Sequence, residues 1–239
     1  MTEPTTVSEP YIWGEIDGQV ITFPMEVADL DAATILFTVP LPAAQALVPG
    51  DAFEVIDMGN GTAQMIIALC DYHENPWGAY LEINLGFLAR PVGASADVIG
   101  SFVYRMPVDQ AFTCRAGNQV MGFPKTIEKL ERTDADGRVT FAMASGGVPV
   151  ISVSFPLVDG SGATDRIDSV SYSYLAGVPH ATPLSMALGA AAVDPGDVEV
   201  VLGRGPVADE LRSLGLPKRP DMAMWGTGLS GTFQLGESL

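Results

Sequence analysis

Between Tyr80 and Arg90 the side chains alternate. Leu81, Ile83, Leu85 and Phe87 fall on one face and Tyr80, Glu82 and Asn84 on the other, the period of two that a strand imposes. Gly61–Tyr72 is a long, largely apolar run that predicts a buried strand. Further strands are predicted over Gly18–Phe23, Ala33–Val39, Phe53–Ile56, Asp97–Met106, Val139–Ala144, Val148–Leu157, Ile167–Tyr174, Val198–Leu202 and Met222–Gln234. Helical signals are few and short. Pro42–Leu47 opens with proline in its first turn and ends at Pro49-Gly50. Residues 107–121 read as a helix ending near Gly122, and Asp209–Leu214 as one stopped by Gly215-Leu216-Pro217. Lys125–Arg132 reads as a strand. There is no repeat and no long linker, and Asp159–Thr164 is the loosest stretch. Many strands and few helices predict one mainly β domain over residues 1–239, an antiparallel barrel or sandwich with helical excursions.

Charge narrows the partners. With 12 Lys and Arg against 29 Asp and Glu the net charge is −17, which disfavours a nucleic-acid backbone or an anionic membrane surface. The distribution is uneven: Arg90 is the first Lys or Arg, and 13 Asp or Glu precede it. That acidic third serves solubility, and it offers no Lys or Arg to a substrate carboxylate. The Met1-Thr2-Glu3-Pro4 start lacks the basic and apolar regions of a signal peptide, and no apolar run has the length of a membrane span. Cys70 and Cys114 sit in apolar segments and read as buried thiols. Two histidines and no CxxC give no metal cluster. The expectation is a cytoplasmic protein without metal or cofactor.

The candidate chemistry centres on Phe123-Pro124-Lys125-Thr126. Pro124 stiffens the backbone and biases Phe123 toward extended geometry, so Lys125 is held at a helix-to-strand junction among Val120, Met121 and Phe123. On composition alone this reads as a surface lysine after a turn. A lysine kept dry loses basicity, and the neutral amine attacks carbonyls to form a Schiff base. Glu82, on the polar face of its strand, is either a solvated carboxylate or, if that face is a lumen, the proton donor and acceptor such chemistry needs.

Taken together, these stretches resemble the acetoacetate decarboxylase-like family. Ala43–Pro49 resembles its short helix ending in Val-Pro, and Tyr80-Leu81-Glu82 its Tyr-x-Glu strand. Asp109–Gly117 leads into Phe123-Pro124-Lys125, similar to its aromatic-Pro-Lys motif, and Ala208–Pro220 is similar to a stretch of its actinobacterial-type members. The resemblance implies a closed antiparallel β-barrel with a few short helices and a homo-oligomer. It implies Lys125 as nucleophile, Glu82 as acid and base, and Phe123 and Tyr80 lining the pocket.

Departures from the family pattern shape the expected function. Decarboxylases of the family carry a second lysine after the nucleophile, where this chain has Thr126. Their early-strand arginine registers at Asp29-Leu30, and their second carboxylate falls near Ile67. Three functions follow. The first is a Schiff-base lyase acting on a small keto or enal substrate, as aldolase-dehydratase or retro-aldol hydrolase. The second is acetoacetate decarboxylation, with Arg105 or Arg115 holding the carboxylate. The third is a barrel that only binds a small apolar ligand. Arg105 reads alternatively as a strand-end arginine paired with one of the many acids.

Overall fold

The computed structural model describes residues 10–162, 164–187 and 189–239. The Met1–Pro4 start lies outside them, as does Ala163 within the Asp159–Thr164 stretch. The strands are β1 (Tyr11–Ile16), β2 (Gln19–Phe23), β3 (Met25–Pro40), β4 (Phe53–Val55), β5 (Thr62–Glu74), β6 (Tyr80–Pro91), β7 (Gly100–Val108), β8 (Lys125–Ile127) and β9 (Lys129–Ala135). They continue with β10 (Arg138–Ser145), β11 (Val148–Pro156), β12 (Arg166–Leu175), β13 (Val178–Ala187), β14 (Ala191–Val193), β15 (Glu199–Leu202), β16 (Met222–Phe233) and β17 (Glu237–Ser238). The helices are α1 (Leu41–Gln45), α2 (Ala111–Ala116) and α3 (Pro206–Ser213).

Seven strands close a barrel in the order β16, β3, β5, β6, β7, β12, β13, with β13 pairing back to β16. Neighbours are antiparallel except β7 and β12, which meet as a short parallel pair. A second sheet, β15-β11-β10-β9, lies over the outer wall. The predicted alternation sets these layers. Outward-facing Ile35, Phe37, Ile67, Leu69, Ile83, Leu85 and Phe87 are fully buried in one core with Phe141, Val153 and Phe155 of the second sheet. Inward-facing Ala32, Cys70, Tyr72 and Tyr80 belong to a separate cluster within the barrel. Both faces of the wall are therefore covered, which is why β5 reads as a nearly continuous apolar run.

The sequence reading did not predict the short strands β1, β14 and β17, and three further departures bear on the barrel and its site. Strand β13 was hidden by Pro179 and Pro183. Pro183 sits opposite Val170, and its carbonyl accepts from the Gln234 N–H, so that stretch keeps an acceptor although the ring removes a donor. The helix predicted over 107–121 starts only at Ala111. Met106, Pro107 and Val108 stay extended because they pair in parallel with Lys125, Thr126 and Ile127. The strand predicted over Lys125–Arg132 breaks at Glu128, whose N–H reaches the Val108 carbonyl, and the chain then leaves the barrel for the outer sheet.

Candidate active site

Lys125 is placed by the turn before it. Gln110 caps α2 by accepting from the Thr113 N–H at 2.7 Å, and its amide donates to the Trp77 carbonyl at 2.5 Å. After Ala116 the helix widens into a π turn over Gly117–Met121, a feature that often marks functional segments. Gly122 ends it in the left-handed region at φ 66°, and a Cβ there would lie 2.6 Å from the Tyr174 carbonyl oxygen, so the position excludes a side chain. Asn118 then brackets the lysine backbone. Its Oδ1 accepts from the Lys125 N–H at 3.2 Å, and its Nδ2 donates to the Lys125 carbonyl at 3.0 Å and the Cys114 carbonyl at 2.8 Å.

The side chain of Lys125 points into the barrel and is 3% exposed. Its Nζ lies 2.7 Å from Glu82 Oε2 and donates to Thr113 Oγ1 at 3.0 Å. Glu82 is 3% exposed. Its Oε1 accepts from Asn84 Nδ2 at 3.1 Å and from the Tyr72 hydroxyl at 3.4 Å. Tyr72 and Tyr80 stack with centroids 4.4 Å apart, and the Tyr80 ring lies 4.9 Å from Lys125 Nζ, within cation–π range. Burial, with the Glu82 charge beside them, raises both phenols well above their usual range, so they stay protonated donors. Burial likewise pushes the Cys70 thiol up.

These groups sit at one end of a cavity of about 520 Å³ inside the barrel. Lys125, Glu82, Tyr80 and Phe123, named from the sequence, all line it. Arg105 and Thr126 do not. The β6–β7 register slips between Leu85 and Gly86, so Leu85 faces Arg105 while Gly86 faces Val103. That bulge turns Arg105 to the outer wall, where Nη2 and Nε meet the Glu210 carboxylate at 2.6 and 3.1 Å. Thr126 is exposed, being the residue after Lys125 in a strand whose lysine points inward. Arg115, the other proposed anchor, is exposed and paired with Asp17 through Nε at 2.6 Å. Thr113, Asn118, Tyr72 and Asn84 were not singled out from the sequence. The i, i+2 spacing of Asn84 from Glu82 was a signal for one of them. Thr113 and Asn118 needed the path of the π turn.

A closed barrel with a buried lysine–carboxylate pair at the end of its lumen defines a class of protein. The family profile for acetoacetate decarboxylase matches residues 17–232, and the chain belongs to that family. No curated protein matches it. Several solved structures share the fold. An acetoacetate decarboxylase superposes with a TM-score of 0.67 at 12% identity, over 90% of this chain and 89% of that one. The acetoacetate decarboxylase of Legionella pneumophila gives 0.65 at 14%, over 90% and 87%. The enduracididine biosynthesis enzyme MppR, complexed with the condensation product of pyruvate and imidazole 4-carboxaldehyde, gives 0.56 at 13%, over 98% of both chains.

Proposed function

We propose that the protein is a Schiff-base-forming lyase of aldolase-dehydratase or retro-aldol type, with Lys125 as nucleophile and Glu82 as acid and base. The observation that carries this reading is the Lys125 Nζ held 2.7 Å from Glu82 inside a lumen whose lining, among the described residues, holds no other Lys, Arg or His. Glu82 takes a proton from the lysine, and the amine adds to a substrate ketone. The carbinolamine receives that proton on its hydroxyl and loses water to give an iminium. Glu82, again a carboxylate, takes an α-proton to give an enamine, whose carbon adds to an aldehyde carbonyl while the new alkoxide receives that proton. The β-hydroxyl then leaves as water to give a conjugated iminium, and its hydrolysis releases the enone and frees the lysine. Run backwards, the same steps cleave an aldol. Thr113 and Tyr80 hold the amine in line, and the phenols of Tyr72 and Tyr80 supply donors. The condensation product seen in MppR is in keeping with this chemistry on the shared fold.

Decarboxylation of a β-keto acid is the weaker reading. It needs the leaving carboxylate held out of the imine plane, and both proposed anchors, Arg105 and Arg115, are engaged by Glu210 and Asp17 away from the lumen.

The test is borohydride trapping against pyruvate, acetoacetate, methyl ketones and enals, with peptide mass spectrometry. The expected adduct is on Lys125 and is lost in Lys125→Arg. Turnover is followed as enone absorbance beside CO₂ release from acetoacetate, and the first is expected to exceed the second. Adducts elsewhere than Lys125 remove its role. Fast CO₂ release without enone formation reinstates the decarboxylase, and no adduct with any probe leaves a binding barrel.

A further inference from the structure

The lumen is far larger than a small keto acid needs, and its shape is directional. Inward positions of β6 run from Glu82 through Asn84 and Gly86 to Leu88, and all four line the cavity. The six residue steps from Glu82 to Leu88 span about 20 Å of strand. Beside Lys125 the lumen is plugged by buried Trp77, Tyr72, Tyr80 and Phe123. At the other end Ile99, Ile167 and Met222 line it while remaining 57%, 51% and 38% exposed. That end is therefore a mouth with an apolar rim. Midway, Ala68 and Gly86 line the bore without large side chains.

Charge points the same way. Besides the Lys125–Glu82 pair, the one charged residue of the lining among the described residues is Asp168, exposed at the mouth beside Ile167. A carboxylate on the far part of a substrate would meet no cation among the described residues and would pass an acid on entry. An uncharged chain would instead bury its methylenes against aliphatic walls.

We infer that the substrate is a ketone or aldehyde carrying a long, uncharged, apolar chain, its carbonyl at Lys125 and its chain running down the lumen to the Ile99–Met222 mouth. At about 1.5 Å per bond, a lumen of this length takes roughly ten or more carbons in line. The inference rests on the Schiff-base reading of Lys125.

The experiment titrates borohydride trapping on Lys125 with 2-butanone, 2-heptanone and 2-undecanone, and with pyruvate and acetoacetate, reading the adduct by intact mass. The half-saturating ketone concentration is expected to fall by about fourfold per added methylene, the factor for burying one CH₂. Ala68→Phe, which fills the middle of the bore, is expected to abolish that dependence. Met222→Asp, at the exposed rim where folding is not at stake, is expected to weaken 2-undecanone trapping more than 2-butanone trapping. A response flat in chain length, or tighter saturation by pyruvate or acetoacetate than by 2-undecanone, overturns the substrate class while leaving the imine intact. Absence of an adduct with every probe overturns the Schiff-base reading instead.

Discussion

Glu82 is the residue whose surroundings most constrain its role. It is buried, it faces Lys125 Nζ through one oxygen, and its other oxygen accepts from Asn84 and Tyr72. Those two donors orient the carboxylate, so the oxygen toward the lysine is the one free to move a proton. Glu82→Gln preserves shape and removes that proton acceptor. Turnover is expected to fall by about 10² to 10⁴, the range for losing a general acid–base group. Borohydride trapping at Lys125 should be slowed and not abolished, because the amine and its pocket remain. Measuring kcat and the trapping rate on the same preparation separates the two effects. Equal turnover in both proteins would assign the proton transfers elsewhere. Cys70 sits opposite Glu82 in the β5–β6 register and also lines the lumen, but its raised thiol stays protonated, so it does not compete with the nucleophile proposed at Lys125.

The element that turns a barrel into a site is the α2–π turn–β8 segment, and Gly117 is its tightest point. It has ordinary helical backbone angles, φ −59° and ψ −42°, so alanine is compatible with the turn itself. A Cβ there would lie 2.7 Å from both Cδ and Cε of Lys125. The side chain that must give way is the flexible lysine, not the backbone. Gly117→Ala is therefore expected to fold normally while pushing the amine off Glu82 and Thr113. A displacement of about 1 Å costs on the order of 10²-fold in rate. Circular dichroism and thermal melting should match the parent while kcat falls by that factor, and full activity would mean the lysine has room that the structure denies it. This segment also marks where sequence reading stopped. Phe123-Pro124-Lys125 and the Tyr80–Phe87 alternation were legible because stiff φ angles and a period of two are local properties. The inward aim of Lys125 and Glu82 did not follow from them, because a surface lysine and a solvated carboxylate fit the same local patterns, and only closure of the barrel buries the pair. Thr113 was not legible, since its contact with Lys125 depends on a π turn that no residue pattern announces. Arg105 does not anchor a carboxylate in the lumen, and its alternative reading as an arginine paired with an acid is the one that holds, with Glu210; the bulge that turns it outward is set by the cross-strand partner and does not show in a single strand. β13 was missed because its two prolines, tolerated where the ladder needs no donor, mimic a loop.

On the scale of the whole molecule, Arg132 joins the two layers. It leaves β9 of the outer sheet and reaches the barrel, where Nη1 meets Asp31 Oδ2 at 2.7 Å on β3 and Asp71 Oδ2 at 2.9 Å on β5. Nη2 holds Asp134 at 2.8 Å, and the guanidinium lies 5.2 Å from the Trp225 ring. Burial opposes its charge, but the hydrogen bonds it donates to Asp134 and Asp31, together with their charges, outweigh that and raise its pKa. The acidic first third thus does more than favour solubility, because Asp31 and Asp71 face each other across the β3–β5 ladder and need a cation between them. They are outward neighbours of Ala32 and Cys70, which line the lumen, so the clamp also steadies the wall beside Glu82. Arg132→Met keeps the stem packing and removes the charge, leaving two adjacent carboxylates largely shielded from water. The expected loss is about 3 kcal/mol, the lower end for breaking a buried ion pair, because the partners keep some exposure. For a chain of this size that lowers Tm by roughly 6–12 °C. Adding Asp31→Asn and Asp71→Asn to the same variant should restore most of the loss, since replacing a whole buried ionic set is often close to neutral where removing one member is not. Thermal melts of the single and triple variants decide it. Failure of the triple variant to recover would mean that Arg132 acts through its stacking on Trp225 and not through charge.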